Sequence, residues 1–131
     1  MAGISRGQRI LVVDDEPVCC VSICKALAVD YPCVEFAASA KSALAILENN
    51  DFEVLISDFG LPGMQGYKLV AAAKTLRPNL LIALIAADAK SLKPTRFEGV
   101  EYVDSKPFEM EMLRLTVARL LSSRHTLPLT E

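Results

Sequence analysis

Short apolar runs alternate along the chain with longer stretches in which apolar residues recur at helical spacing. The apolar runs predict strands at 9–14, 33–37, 53–58, 80–86 and 100–105. The other stretches predict helices at 16–29, 40–48, 67–76, 88–99 and 108–122. Because strands and helices alternate with no hairpin signal, we expect an α/β fold with a doubly wound, five-stranded parallel sheet of order 2-1-3-4-5 and helices on both faces.

Single residues mark features of the predicted helices. Pro17 suits the first turn of the first helix, where its missing N–H costs nothing, and Ser39 suits the N-cap of the second. Pro94 lies in the middle of 88–99, where a proline costs about 3 kcal/mol. The fourth helix is therefore expected to be short or irregular. The first helix is expected to turn an inner stripe toward the core: Cys19, Ile23, Ala26 and Leu27.

Length and composition limit the classes of protein to consider. With 131 residues, 52% of them hydrophobic and 23% charged, the chain predicts one globular domain at 9–122 between tails at 1–8 and 123–131. The net charge of −2 gives no basic footprint, so no direct nucleic-acid binding is expected. The longest apolar run is too short to span a membrane, and the amino terminus lacks a signal-peptide core. A cytoplasmic protein is expected.

The four cysteines lie within residues 19–33. Cys20 and Cys24 are one helical turn apart and could share a metal ion, but buried cysteines commonly act as small apolar residues. Without an export signal, no disulfide framework is expected. The only histidine, His125, falls in the predicted tail, which argues against a nucleophilic triad.

Charged residues follow three of the predicted strands. Asp14 and Asp15 end the first strand, Asp58 ends the third, and Lys106 follows the fifth. An isolated aspartate before a Gly- and Pro-rich loop is commonly a turn cap. However, the first and third strands are neighbours at the switch point of this sheet order, where open α/β sheets build their sites. We therefore expect the carboxylates to cluster, with the lysine facing them from two strands away.

Clustered carboxylates repel one another, and a divalent cation relieves that repulsion. Mg²⁺ prefers oxygen ligands and is the expected ion. A carboxylate beside Mg²⁺ and an ammonium group suits phosphoryl transfer, in which Asp58 attacks phosphorus while the cations neutralise the phosphoryl oxygens. The expected product is an acyl phosphate on Asp58.

Three motifs together closely resemble the receiver domains of two-component response regulators. They are residues 10–16 (Ile-Leu-Val-Val-Asp-Asp-Glu), Asp58 with residues 61–66 (Leu-Pro-Gly-Met-Gln-Gly), and residues 106–108 (Lys-Pro-Phe). The likeness covers about residues 8–122 and implies a flavodoxin-like fold. It implies that Asp58 is the phosphoacceptor and that Lys106 pairs with the phosphoryl group.

The same resemblance assigns a metal shell and partners. It implies that Mg²⁺ is held by Asp15, by Asp58, by the backbone carbonyl of Gly60 and, through water, by Asp14. The implied phosphodonor is a histidine kinase or a phosphotransfer protein. The implied readout is a downstream protein or an output domain absent from this chain. The resemblance implies a signalling receiver that is not an enzyme, beyond Mg²⁺-dependent self-phosphorylation and autodephosphorylation.

Two switch positions depart from the family pattern. Receivers usually carry Thr or Ser where this chain has Ala86, and Tyr or Phe where it has Val103. Tyr102 is adjacent, but on a strand it faces the opposite side unless a bulge shifts it. Asp104 also replaces a usual apolar residue. One hypothesis is a phosphorylated receiver that signals through another surface or acts as a phosphate sink, which the retained carboxylates favour. The other is a pseudo-receiver, an interaction module that works without phosphorylation.

Two other classes fit less well. Phosphatases of the haloacid-dehalogenase type place their nucleophile in an Asp-x-Asp at the first strand, and Asp14-Asp15 lacks that spacing. A flavodoxin-like cofactor binder needs a phosphate loop there, where these acidic residues would repel a phosphate.

Overall fold

The computed structural model describes residues 9–58, 66–86, 100–105 and 109–126. Its strands are β1 (Arg9–Val13), β2 (Cys33–Ala37), β3 (Val54–Asp58), β4 (Leu81–Ala86) and β5 (Tyr102–Ser105). Its helices are α1 (Pro17–Ala28), α2 (Ala40–Asn49), α3 (Gly66–Leu76) and α4 (Met110–Thr126). The strands form one parallel sheet of order β2-β1-β3-β4-β5. The predicted doubly wound fold is confirmed, whereas the helix predicted at 88–99 lies outside the described residues.

The sheet separates two apolar cores, because successive side chains of a strand point to opposite faces. Leu11, Leu55 and Leu84 belong to the core that includes residues of α2 and α3. Val12 and Ile56 belong to the core shared with α1 and α4. Burial on both faces explains why β1, β3 and β4 are almost wholly apolar, as is typical of central parallel strands.

The inner stripe of α1 differs from the prediction at two positions. Cys20, Ile23 and Leu27 are buried, while Cys19 and Ala26 are only half-buried. At about 100° per residue these three side chains share a sector of about 60°, with Cys19 on its flank. The helix starts at Pro17, one residue after the predicted start, with this proline in its first turn as predicted. The Asp14 side chain accepts a hydrogen bond from the Glu16 N–H just before it.

The N-cap predicted for α2 is confirmed. The Ser39 Oγ accepts a hydrogen bond from the Ser42 backbone N–H at 3.1 Å. It satisfies one of the amide groups that a helix leaves unpaired in its first turn.

The carboxyl-terminal elements differ from the prediction at their ends. β5 begins at Tyr102 instead of residue 100, because Glu101 pairs with β4 partly through its side chain. α4 continues to Thr126, four residues beyond the predicted end, since no glycine or proline interrupts it before Pro128. No helix in the described part of the chain is long and apolar enough to cross a membrane.

Candidate metal centre at the sheet edge

Asp14 is held at the end of β1 by its backbone and its side chain. Its N–H donates to the carbonyl of Ala37 at 3.2 Å, which extends the pairing of β1 with β2 by one residue. Its Oδ1 accepts a hydrogen bond from the Glu16 backbone N–H at 2.9 Å, so the carboxylate is fixed beside the start of α1. The residue is only 3% exposed, whereas the next residue, Asp15, is exposed.

Asp58 is the last residue of β3, between β1 and β4. The register pairs Val13 with Ser57 and Asp58 with Ile85, which places Asp58 beside the end of β1. Ser57 is completely buried, and its Oγ donates to the carbonyl oxygen of Asp58 at 3.0 Å. The backbone at Asp58 is therefore held by its pairing with β4 and by Ser57, while the residue itself is half-buried.

The structure brings Asp14, Asp15 and Asp58 together as predicted. One carboxylate oxygen from each lies within 4.8 Å of the other two. The three residues grade from buried to half-buried to exposed in the order Asp14, Asp58, Asp15. Like charges at this range disfavour one another, most strongly where burial limits screening by water.

This donor set fits Mg²⁺. Mg²⁺ binds oxygen ligands at about 2.0–2.1 Å and usually keeps several waters beside one or two carboxylates. The buried Asp14 is already fixed by its hydrogen bond, while the exposed Asp15 can adjust and leaves room for water. Carboxylate oxygens at three positions, one face open to solvent, match that preference.

A second acidic group near the site was missed by the sequence analysis. Asp14, Glu16 and Cys19 also bring one ligand atom each within 4.8 Å of one another. The sequence could have indicated this group, because Cys19 lies in the first turn of α1, close to Asp14 and Glu16. A thiol is a soft ligand, so this group suits Mg²⁺ less well than the three aspartates.

Cys20 and Cys24 of α1 behave as apolar residues. Burial, together with the nearby Cys24 and Asp14, raises the pKa of the Cys20 thiol to about 11. Burial also raises the pKa of Cys24. Neutral thiols are poor metal ligands, and among the described residues neither cysteine belongs to a group of three or more potential ligands. None of the four cysteines, all within the described residues, forms a disulfide.

The two atypical switch positions lie on β4 and β5. Ala86 ends β4, one residue beyond the partner of Asp58, and is 3% exposed. Val103 packs against the core on the α2 and α3 side, whereas Tyr102 packs against the core of α1 and α4. The pairing of β4 with β5 runs without a bulge from Tyr102 to Ser105, so Tyr102 faces away from Val103, as predicted.

Two predicted site residues belong to the segments that follow β3 and β5. Gly60 and Lys106 lie outside the described residues. In the sequence, Gly60 comes two residues after Asp58, and Lys106 directly follows the last residue of β5.

Comparison with known proteins shows the family. The chain matches the family model of the response regulator receiver domain over residues 10–118. It is 34% identical to the two-component response regulator ARR2 of Arabidopsis thaliana over 110 residues, which cover 81% of this chain and 16% of that protein. It is 28% identical to the transcriptional regulatory protein TcrA of Mycobacterium tuberculosis over 127 residues, 93% of this chain and 49% of that protein. The chain thus spans less than half the length of these curated relatives.

Solved structures agree in fold and in extent. A CheY-like receiver domain protein from Methanospirillum hungatei is 31% identical, with a TM-score of 0.84 over 92% of this chain and 98% of that one. The chemotaxis response regulator CheY4 of Vibrio cholerae is 27% identical, with a TM-score of 0.78 over 87% of this chain and 98% of that one. This chain belongs to the family of response regulator receiver domains of two-component systems.

Proposed function

We propose that the domain accepts a phosphoryl group on Asp58 from a histidine kinase or a phosphotransfer protein, with Mg²⁺ bound beside it. The observation that carries the proposal is the group of three aspartate carboxylates within 4.8 Å at the ends of β1 and β3. A protein that used the fold only as a scaffold would gain nothing from these like charges, one of them buried.

The proposed roles of the three aspartates rest on their placement, and those of Gly60 and Lys106 rest on the resemblance to the family. Asp15 and Asp58 would hold the ion directly and Asp14 through water, and by resemblance to the family the Gly60 carbonyl would complete the shell. A carboxylate oxygen of Asp58 attacks phosphorus, an O–P bond forms, and the P–N bond of the donor's phosphohistidine breaks. The departing imidazole takes a proton from water. When bound, Mg²⁺ neutralises charge on the phosphoryl oxygens. By resemblance to the family, Lys106 is assigned the same task.

The test is phosphoryl incorporation from a small donor such as acetyl phosphate, read as a mass increase of the intact protein. We expect Mg²⁺-dependent incorporation of one phosphoryl group, which is lost in Asp58→Asn. Asp51→Asn is the matched control, because it removes an exposed aspartate in the turn before β3. Incorporation that survives in Asp58→Asn, or that is absent from the unaltered protein with Mg²⁺ and donor, would contradict the proposal.

The buried Ala86 favours the second candidate function, a pseudo-receiver. A methyl group at the end of β4 offers no hydrogen bond to a phosphoryl oxygen, and Val103 fills the core where the family usually has an aromatic residue. In that case a partner protein would bind unaltered protein and Asp58→Asn equally, with and without acetyl phosphate. If acetyl phosphate changes the affinity of the unaltered protein for its partner but not that of Asp58→Asn, the result favours the phosphorylated receiver.

A further inference from the structure

An open groove lies between α2 and α3, on the face of the sheet away from α1 and α4. Its volume is about 530 Å³. Leu44 and Ala45 of α2 and Ala72 and Leu76 of α3 line it, and each is half-buried or exposed. An apolar groove between two helices that is open to water is a surface to which another helix can dock.

Lys41 and Glu48 mark the two ends of this groove. Together with Leu44 and Ala45 they recur on α2 at positions i, i+3, i+4 and i+7, so they form one stripe along the helix. Lys41 and Glu48 are both exposed. In the part of the chain that the structure describes, no ion pair uses either side chain.

The stripe is complementary to itself when two copies run antiparallel. A two-fold axis between Leu44 and Ala45 brings Leu44 of one copy against Ala45 of the other, so a large residue meets a small one. The same axis brings Lys41 of each copy against Glu48 of the other. This is the arrangement of an isologous interface, in which a surface patch pairs with its own copy.

The charges on α2 oppose the dipole of their own helix. Lys41 lies in the first turn, where a negative side chain is favoured, and Glu48 lies in the last turn, where a positive one is favoured. α2 has no acidic residue in its first turn and no basic residue in its last. An antiparallel partner helix reverses this disadvantage, because each charge then faces its opposite.

We infer that two copies of this chain associate through the groove, with α2 of each copy packed antiparallel against α2 and α3 of the other. The occupant is a second copy because the charge pattern that the groove presents is the one that α2 itself supplies. The contact of two helices of about three turns is smaller than the roughly 1,200–2,000 Å² of a stable interface, so the dimer is a weak one.

The test is sedimentation velocity on the full chain from about 10 µM to about 1 mM, the range for weak association. We expect a reversible monomer–dimer equilibrium. Lys41→Glu and Glu48→Lys should each raise the dimer Kd about tenfold, since each makes two contacts repulsive. The double variant should restore the affinity of the unaltered protein. Both reversals favour the helix dipole, so α2 is expected to remain folded, which circular dichroism verifies.

Two further variants locate the interface. Ala45→Glu places a charge beside the two-fold axis and should raise the Kd more than about tenfold. Lys25→Glu is the matched control for charge reversal, because it changes an exposed lysine on α1, across the sheet, and should leave the Kd unchanged. A protein that stays monomeric at every concentration would overturn the inference. So would a dimer that is insensitive to Ala45→Glu, or a double variant that remains weakened.

Discussion

The strands β1, β3 and β4 are alike in burial and composition, but they end in residues of different chemistry. Leu55 in β3 and Leu84 in β4 are equally buried, and both strands pair in register along their length. Yet β3 ends in the half-buried Asp58 and β4 ends in the buried Ala86. The apolar strand interiors therefore determine that the sheet forms. The residues at the carboxyl ends of the strands determine the chemistry of a site at this edge.

Removing the charge of Asp14 tests the acidic site at the ends of β1 and β3. Asp14→Asn keeps the side-chain oxygen that accepts from the Glu16 N–H, so the turn should survive. We expect Mg²⁺ affinity to fall about 10–100-fold, as for changes around other metal sites, and the metal-free protein to become more stable because repulsion is relieved. Isothermal titration with Mg²⁺ and urea unfolding without it provide the measurements. Equal Mg²⁺ affinity in variant and parent would remove Asp14 from the site.

On the other side of the comparison, the pairing of β4 with β5 is stabilised by Glu101. Its Oε1 accepts from the Ile82 N–H at 2.7 Å, and its Oε2 pairs with Lys74 Nζ at 3.4 Å. Glu101→Ala leaves the N–H of the buried Ile82 without this acceptor, and we expect a loss of about 1–3 kcal/mol of stability. Glu101→Gln keeps an acceptor and should lose less. Urea unfolding distinguishes them, and equal losses would show that charge matters more than the hydrogen bond.

A hydroxyl at position 86 sharpens the comparison. Ala86→Thr adds two atoms to a buried site, so we expect it to cost about 1 kcal/mol, near the lower limit for overpacking. We also expect it to enlarge the stabilisation that Mg²⁺ and beryllofluoride provide, because the hydroxyl can bond a phosphoryl-like oxygen. Ala83→Thr, in the same strand and completely buried, is the control and should destabilise without that gain. Thermal unfolding with and without the ligands measures both.

The smallest expected effect concerns pH and lies away from the sheet edge. Burial, with help from Asp30 and against the opposing charge of Arg114, raises the pKa of Tyr31. The folded protein thus holds the phenolic proton more tightly than the unfolded chain. The stability that the protonated Tyr31 contributes is fully present below the unfolded pKa of about 10. This contribution is lost as pH rises through the folded pKa. Tyr31→Phe should lose less stability than the parent between pH 7 and about pH 10.5, as measured by urea unfolding. A parallel decline in both proteins would exclude Tyr31 as a cause.

The sequence predicted the elements whose signals are local. β2 and the N-cap Ser39 were predicted at the residues where they occur, because alternating apolar runs and capping residues act over short distances. The three aspartates were predicted to meet, since parallel strands bring their carboxyl ends to one edge. The expected chemistry of Asp58 followed from this grouping, whereas the separate metal-binding roles of Asp14 and Asp15 came from the resemblance to a known family.

Tertiary packing decided what the sequence could not. Whether Cys19 or Cys20 faces the core depends on how α1 lies across the sheet, since both are apolar and adjacent. The late start of β5 depends on Glu101, whose carboxylate reaches Ile82 in a strand 19 residues away. The groove beside the stripe on α2 could not be predicted from the sequence either, because it exists only where α3 packs next to α2.

The most direct test of the account is an amide NMR titration with Mg²⁺ and then with beryllofluoride, which mimics an aspartyl phosphate. We expect Mg²⁺ to shift the resonances of Asp14, Asp15 and Asp58, and beryllofluoride to strengthen those shifts and extend them to Lys106. Shifts confined to the ends of β1 and β3 would mean a working phosphoacceptor without the usual readout through β4 and β5. No response to either ligand would contradict the proposed phosphoacceptor site and leave a receiver-shaped interaction module.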